Sequence, residues 1–264
     1  MATLSLKVLD KYDNTICVRS GENFVDLVCM RAYEEGDKIE LAVSERNCYI
    51  NWQVDDALGQ AFVYVTDNVS YDIPFGEKKI SYSPKAFSGD RHYIWAELAD
   101  REEIGMYRNL ALNPADQHKD VPCYPHATAN VETRGESVFA AKNAIDGVRA
   151  NLSHGQWPYQ SWGINRQDDA AMKVDFGRRI RTDKVVLYTR SDFPHDNWWI
   201  RVTLRFSDGS EADFPLEKST EGHVLTFSEK EVTWIELCNL IKAEDPSPFP
   251  ALSQIEVYGR NVQA

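Results

Sequence analysis

Tryptophan is concentrated in two short polar stretches. The first is Asn151-Leu152-Ser153-His154-Gly155-Gln156-Trp157-Pro158-Tyr159-Gln160-Ser161-Trp162-Gly163, whose glycines and proline mark a surface loop. The second is Arg190-Ser191-Asp192-Phe193-Pro194-His195-Asp196-Asn197-Trp198-Trp199. A covered tryptophan buries about 150–250 Å², so several of them on loops must either pack together or meet a ligand. An aromatic face next to amide, imidazole and charged groups suits a sugar ring, which offers an apolar C–H face and a set of hydroxyls. In this reading Trp157 and Trp198 stack on the ligand and Trp162 lines the floor. His154, Arg190, His195, Asp196 and Asn197 supply donors and acceptors to the hydroxyls. Trp162 and Trp199 equally suit the role of plugs in the core at the end of a sheet.

The segments that must hold these loops read as short strands. Period-2 alternation marks residues 4–8, 24–28, 38–43, 61–65 and 92–98, separated by turns such as Asp13-Asn14, Ser20-Gly21 and Glu35-Gly36-Asp37. A further strand is expected over 104–112, stopped by Asn113-Pro114. Residues 113–126 contain three prolines and no apolar period, as a linker would. Beyond it, Val138, Ala141, Ala144 and Ile145 predict one short helix over 137–145, ended by Asp146-Gly147. Strands follow at 172–176, 185–189, 200–206, 211–216, 232–237 and 254–258, with Asp208-Gly209 as a hairpin turn. The expectation is an all-β chain of two β-sandwich, jelly-roll domains, 1–120 and 121–264.

Composition narrows the function. The 264 residues carry 29 Lys and Arg against 41 Asp and Glu, a net charge of −12. That disfavours nucleic acid and anionic membranes as partners. Apolar runs are too short to span a bilayer, and the first residues lack the pattern of a signal peptide. A cytoplasmic location is expected, or an extracellular one if a leader has been removed. Five scattered cysteines (Cys17, Cys29, Cys48, Cys123, Cys238) show no CxxC spacing and no paired framework, so reduced thiols are expected.

Ala141-Lys142-Asn143-Ala144-Ile145-Asp146-Gly147, Met172-Lys173-Val174-Asp175-Phe176-Gly177, the strand at 185–189 and the closing Gln254-Ile255-Glu256-Val257-Tyr258-Gly259 together resemble the discoidin family. That family includes the coagulation-factor type C domains and many bacterial carbohydrate-binding modules. The resemblance covers roughly residues 123–260 and implies a galactose-binding-like β-sandwich with its ligand site in loops at one end. It also implies a structural calcium held by Asp146, Glu256 and loop carbonyls. The chain departs from the family in placing Trp162 fifteen residues after Gly147, which leaves one calcium ligand unassigned. No organic cofactor is expected.

These readings converge on a non-catalytic, lectin-like protein whose partner is a carbohydrate. The alternatives are a carbohydrate-active enzyme, a glycoside hydrolase or lyase working in the same pocket, and a protein-interaction module presenting the tryptophans. A hydrolase would need two carboxyl groups about 5–5.5 or 6.5–9.5 Å apart, a spacing that only the fold determines.

Overall fold

The computed structural model describes residues 2–152, 155–191 and 197–262. Its N-terminal half is two antiparallel sheets packed face to face. One sheet has the order β2-β1-β4-β7, formed by β1 (Thr3–Leu9), β2 (Thr15–Glu22), β4 (Lys38–Val43) and β7 (Val69–Asp72). The facing sheet, in the order β10-β6-β5-β8-β3, uses β3 (Phe24–Cys29), β5 (Cys48–Gln53), β6 (Ala61–Val65), β8 (His92–Leu98) and β10 (Cys123–Tyr124). Alternation turns Leu4, Leu6 and Val8 inward from β1, where they meet Ile50, Trp52 and Val63 in one core. The sequence does not predict β2, β5, β7 or β10, the last falling within the stretch expected as a linker. β2 is an edge strand with no regular buried face, so it carries little period-2 signal.

The C-terminal half is an antiparallel eight-stranded arrangement built on long strands. β13 (Met172–Thr189), β16 (His223–Lys242) and β17 (Ala251–Asn261) run through it. They are joined by β9 (Arg108–Asn109), β11 (His126–Ala129), β12 (Trp162–Gly163), β14 (Trp199–Phe206) and β15 (Glu211–Pro215). The strands expected at 172–176 and 185–189 are parts of the single strand β13. Its pairing with β16 is interrupted between Asp175 and Ile180, around Gly177. Gly177 has φ +63°, and a Cβ there would lie 2.3 Å from the Tyr124 ring, so only glycine permits this bulge. A second core, including Trp162, Trp199, Phe176 and Phe206, fills the interior.

Two expected elements are corrected. Residues 137–145 form two 3-10 turns, Ser137–Phe139 and Ala141–Ile145, separated by Ala140 in an extended conformation (ψ 149°). Residues 104–112 are not one strand. A single helical turn, α1 (Arg101–Gly105), is closed by a capping box in which Asp100 Oδ1 accepts from the Glu103 N–H (2.8 Å) and Glu103 Oε2 accepts from the Asp100 N–H (3.0 Å). Only the short β9 follows it.

The proline-containing stretch is not a loose linker. β9 pairs with β17 of the C-terminal unit, while β10 pairs with β6 of the N-terminal one. Between them Asn113, Asp116 and Gln117 are buried, and Gln117 bonds Ser70 O and the Asp72 N–H (both 2.9 Å). The expected division at 120/121 therefore falls inside a stretch that both cores share. Arg178 adds a further tie: it is enclosed beside the rings of Tyr49 and Tyr64 and donates to Asn261 Oδ1 (2.8 Å) and Phe176 O (2.7 Å). Burial pulls its guanidinium down to about 10. All five cysteines are free thiols, and no helix is long and apolar enough to cross a membrane among the described residues.

Candidate functional site

A cleft of about 80 Å³ lies where the two units meet. The N-terminal unit contributes residues 57–59 and Ser81, Tyr82 and Ser83. The shared stretch adds Asn113, Pro114 and Asp116, and the C-terminal unit adds Lys142, Asp146, Val148, Trp157 and Gln160. The 3-10 turn explains the placing of Lys142. Ala141, Ala144 and Ile145 belong to the C-terminal core, and Asn143 is buried, donating to Ser137 O (2.8 Å) and Ser161 O (3.5 Å). Lys142, between Ala141 and Asn143, turns instead to the N-terminal unit, with its Nζ 4.3 Å from the centre of the Tyr82 ring.

The Asp146-Gly147 turn is pinned to β17 by one side chain. Gln254 Nε2 donates to Asn143 O (2.7 Å) and to Asp146 Oδ1 (2.6 Å), while its Oε1 accepts from the Gly147 N–H (3.0 Å). Gly147 has φ +89°, and a Cβ there would lie 2.9 Å from Leu112 Cδ1. Asp146 also accepts from the Val148 N–H at Oδ1 (2.7 Å) and from Gln160 Nε2 at Oδ2 (3.0 Å). Burial pushes its carboxyl up to about 6, against the opposing pull of these hydrogen bonds and of Lys142. Burial also raises Asp116, which accepts from His126 Nδ1 (2.7 Å) and from the Ala127 N–H (2.9 Å).

The raised Asp146 carboxyl makes a stability prediction. Between its ordinary value of 3.8 and about 6 the folded chain holds this proton more firmly than the unfolded one. Its contribution to stability is therefore complete below 3.8 and is lost as pH rises through 6. Asp146→Asn should flatten that fall, so the difference in unfolding free energy between wild type and variant should change steadily from pH 4 to 6.5 in urea titrations. A difference independent of pH would contradict the assignment.

The residues singled out from the sequence separate into three groups. Trp157 lines the cleft and is half-buried. Trp198 is also half-buried, with Lys218 Nζ 4.8 Å from its ring centre. Trp162, Arg190 and Asn197 are enclosed, which corrects their assignment as ligand contacts. Trp162 donates from Nε1 to Val131 O (2.9 Å) and packs 6.4 Å from Trp199. Arg190 donates to Tyr159 O (2.8 Å) and so holds the first loop from beneath, and Asn197 Nδ2 donates to Ala243 O and Ser247 O (both 3.0 Å). These polar groups serve to satisfy loop carbonyls that burial would otherwise leave unpaired. His154, His195 and Asp196 lie outside the described residues.

The carboxylates expected to hold calcium face other partners. Glu256 is 4 % exposed, ion-paired through Oε1 to Arg149 and accepting from the Tyr258 hydroxyl at Oε2 (3.1 Å). Both lone pairs of Asp146 Oδ1 are taken by N–H donors. Calcium requires about 6–8 oxygens turned inward, whereas this set presents N–H groups to one carboxylate and a guanidinium to the other. Among the described residues no cluster of three or more His, Cys, Asp or Glu is poised for a metal. The donor set does not fit a calcium ion. An ion bound at 100 times its Kd would add about 2.7 kcal/mol to stability. Neither calcium nor a chelator should shift the melting temperature, and a calcium-dependent rise would overturn this reading.

Sequence reasoning missed Lys142 and Tyr82. Lys142 could have been noticed as a lone cation in the apolar run Ala140-Ala141-Lys142-Asn143-Ala144-Ile145. Tyr82 carries no local signal, because it reaches the site through the contact between the units.

The family described as a domain of unknown function, DUF7402, matches residues 123–258, just over half of the chain. The chain belongs to this family. The DUF7402 region thus includes the 3-10 turn, both tryptophan loops and β17, but not Ser81, Tyr82 or Ser83. No curated protein matches the chain. Among solved structures, chitosan-binding module 1 of a chitosanase/glucanase from Paenibacillus sp. IK-5 is similar at 19% identity and TM-score 0.41, over 57% of this chain and 98% of that one. The family 32 carbohydrate-binding module of C. perfringens NanJ, in complex with galactose, is similar at 19% identity and TM-score 0.38, over 50% and 91%. The lectin domain of lectinolysin, complexed with Lewis B antigen, is similar at 20% identity and TM-score 0.41, over 58% and 97%.

Proposed function

We propose that this chain binds carbohydrate without cleaving it, in the cleft between its two sandwiches. The observation that carries the reading is the half-buried Trp157 in the wall of a cleft whose remaining polar groups are mixed donors and acceptors. Trp157 offers its face to the C–H side of a sugar ring. Lys142, Asn113 and Gln160 supply donors, and the serines at 81 and 83 supply acceptors. Trp198 provides a separate, partly exposed aromatic surface on the second loop.

A second reading, a carbohydrate-active enzyme, draws on Asp146 and Asp116, two acids with raised pKa lining the same cleft. Binding is favoured over cleavage because both carboxylates are already engaged by N–H donors. The test is a titration of tryptophan fluorescence with mono- and oligosaccharides up to millimolar, followed by analysis of the recovered sugar. A saturable shift with intact sugar supports binding, whereas a shift with cleavage products makes the chain an enzyme. No shift with any sugar would refute both readings.

A further inference from the structure

We infer that the cleft selects saccharides bearing a carboxylate, as uronic acids do, and that Lys142 is the residue that reads it. This rests on the carbohydrate-binding reading and gives it a ligand class. Lys142 is 9 % exposed, yet no carboxylate lies within 4 Å of its Nζ among the described residues. Its polar contacts are neutral and long: Asn143 Oδ1 at 3.2 Å and Ser81 Oγ at 3.5 Å, together with the face of Tyr82. A cation removed from water is costly unless an opposite charge and good hydrogen bonds accompany it.

The two acids that share the lining do not meet this need. Asp146 is held by Val148, Gln160 and Gln254, and Asp116 by His126 and Ala127. Lys142 acts on Asp146 only from beyond ion-pair distance, so no carboxylate among the described residues contacts it, and it lines the space that a ligand would enter. The overall charge of −12 does not attract anions from afar, but it is screened beyond about 8 Å at physiological ionic strength. The preference is thus a local one, created within the cleft. It also gives the N-terminal sandwich a role, since Ser81 and Tyr82 complete the surroundings of the lysine.

The experiment compares binding of galacturonate, galactose, galactose 6-sulfate and acetate to the intact chain by calorimetry, for wild type, Lys142→Met, Lys142→Arg and Trp157→Ala. Galacturonate should bind wild type about tenfold more tightly than galactose, a difference of about 1.4 kcal/mol. Lys142→Met should remove that preference, bringing galacturonate to the affinity of galactose measured on the same variant, while Lys142→Arg retains it. Trp157→Ala should weaken both sugars, and acetate alone should not bind. Equal affinity of wild type for galacturonate and galactose overturns the inference while leaving carbohydrate binding intact. Stronger binding of the sulfated sugar than of galacturonate also overturns the carboxylate assignment. Failure of every sugar to bind wild type refutes the underlying reading instead. Should Lys142→Met not fold, salt decides on wild type: added salt must weaken galacturonate and spare galactose, and an equal response overturns the inference.

Discussion

Trp162→Ala is expected to destabilise the chain by about 3–5 kcal/mol, the range seen for large aromatics removed from a core. The side chain of Trp162, which pairs from β12 with Leu252 of β17, has no exposed surface and packs on Trp199. Its loss leaves a cavity and strands the Val131 carbonyl that accepts its Nε1–H. For a protein of this size the melting temperature should fall on the order of 10 °C. Trp162→Phe should recover most of the packing but not the hydrogen bond, so its loss should be intermediate. Thermal unfolding of the three proteins checks this order. A Trp162→Ala variant as stable as wild type would mean that Trp162 is not a core residue.

Trp157→Ala should do the opposite. The side chain is half-buried at the cleft wall, so the cost in stability should stay within about 1 kcal/mol. Removing a stacking face comparable to one buried apolar side chain costs about 1.5–3 kcal/mol of binding, or ten- to more than a hundredfold in Kd. A site of millimolar affinity would then pass beyond measurement. Sugar titrations read by calorimetry, independent of the lost fluorophore, check this directly. Unchanged affinity in Trp157→Ala would move the site away from the cleft and towards Trp198.

The two tryptophans lie five residues apart in one loop and look alike in the sequence, yet their predicted effects differ in kind. Local composition says that an aromatic must be covered by something. It does not say whether the cover is the chain's own core or a ligand. That choice depends on which strand the residue joins: Trp162 enters β12, pairs with Leu252 of β17, and so turns into the interior. Trp157 precedes the strand and meets the N-terminal unit.

The same division runs through the rest of the molecule. Alternating apolar residues were enough to place β1, β3, β4, β6 and β8, because a half-buried strand must show one face to the core and the other to water. The motif order around Asp146-Gly147 and the closing strand was legible as well, since Gln254 can pin that turn only if both segments are present at matching distances along the fold. The edge strand β2 was invisible because solvent covers much of it and leaves no period. The 3-10 turns at 137–145 imitate a helical spacing over too few residues to distinguish the two.

Sequence alone therefore determined the all-β class, the acidic surface and the aromatic loops, each of which follows from residue type and short-range period. Only the tertiary structure decided the rest. Arg190 and Asn197 became props for buried carbonyls, Glu256 the partner of Arg149, and Lys142 a cation facing Tyr82 with no carboxylate within ion-pair distance among the described residues. A polar side chain takes its meaning from its partner, and these partners come from segments about 30 to more than 100 residues away: the first three are brought together by the C-terminal core, and Tyr82 reaches Lys142 only where the two units meet.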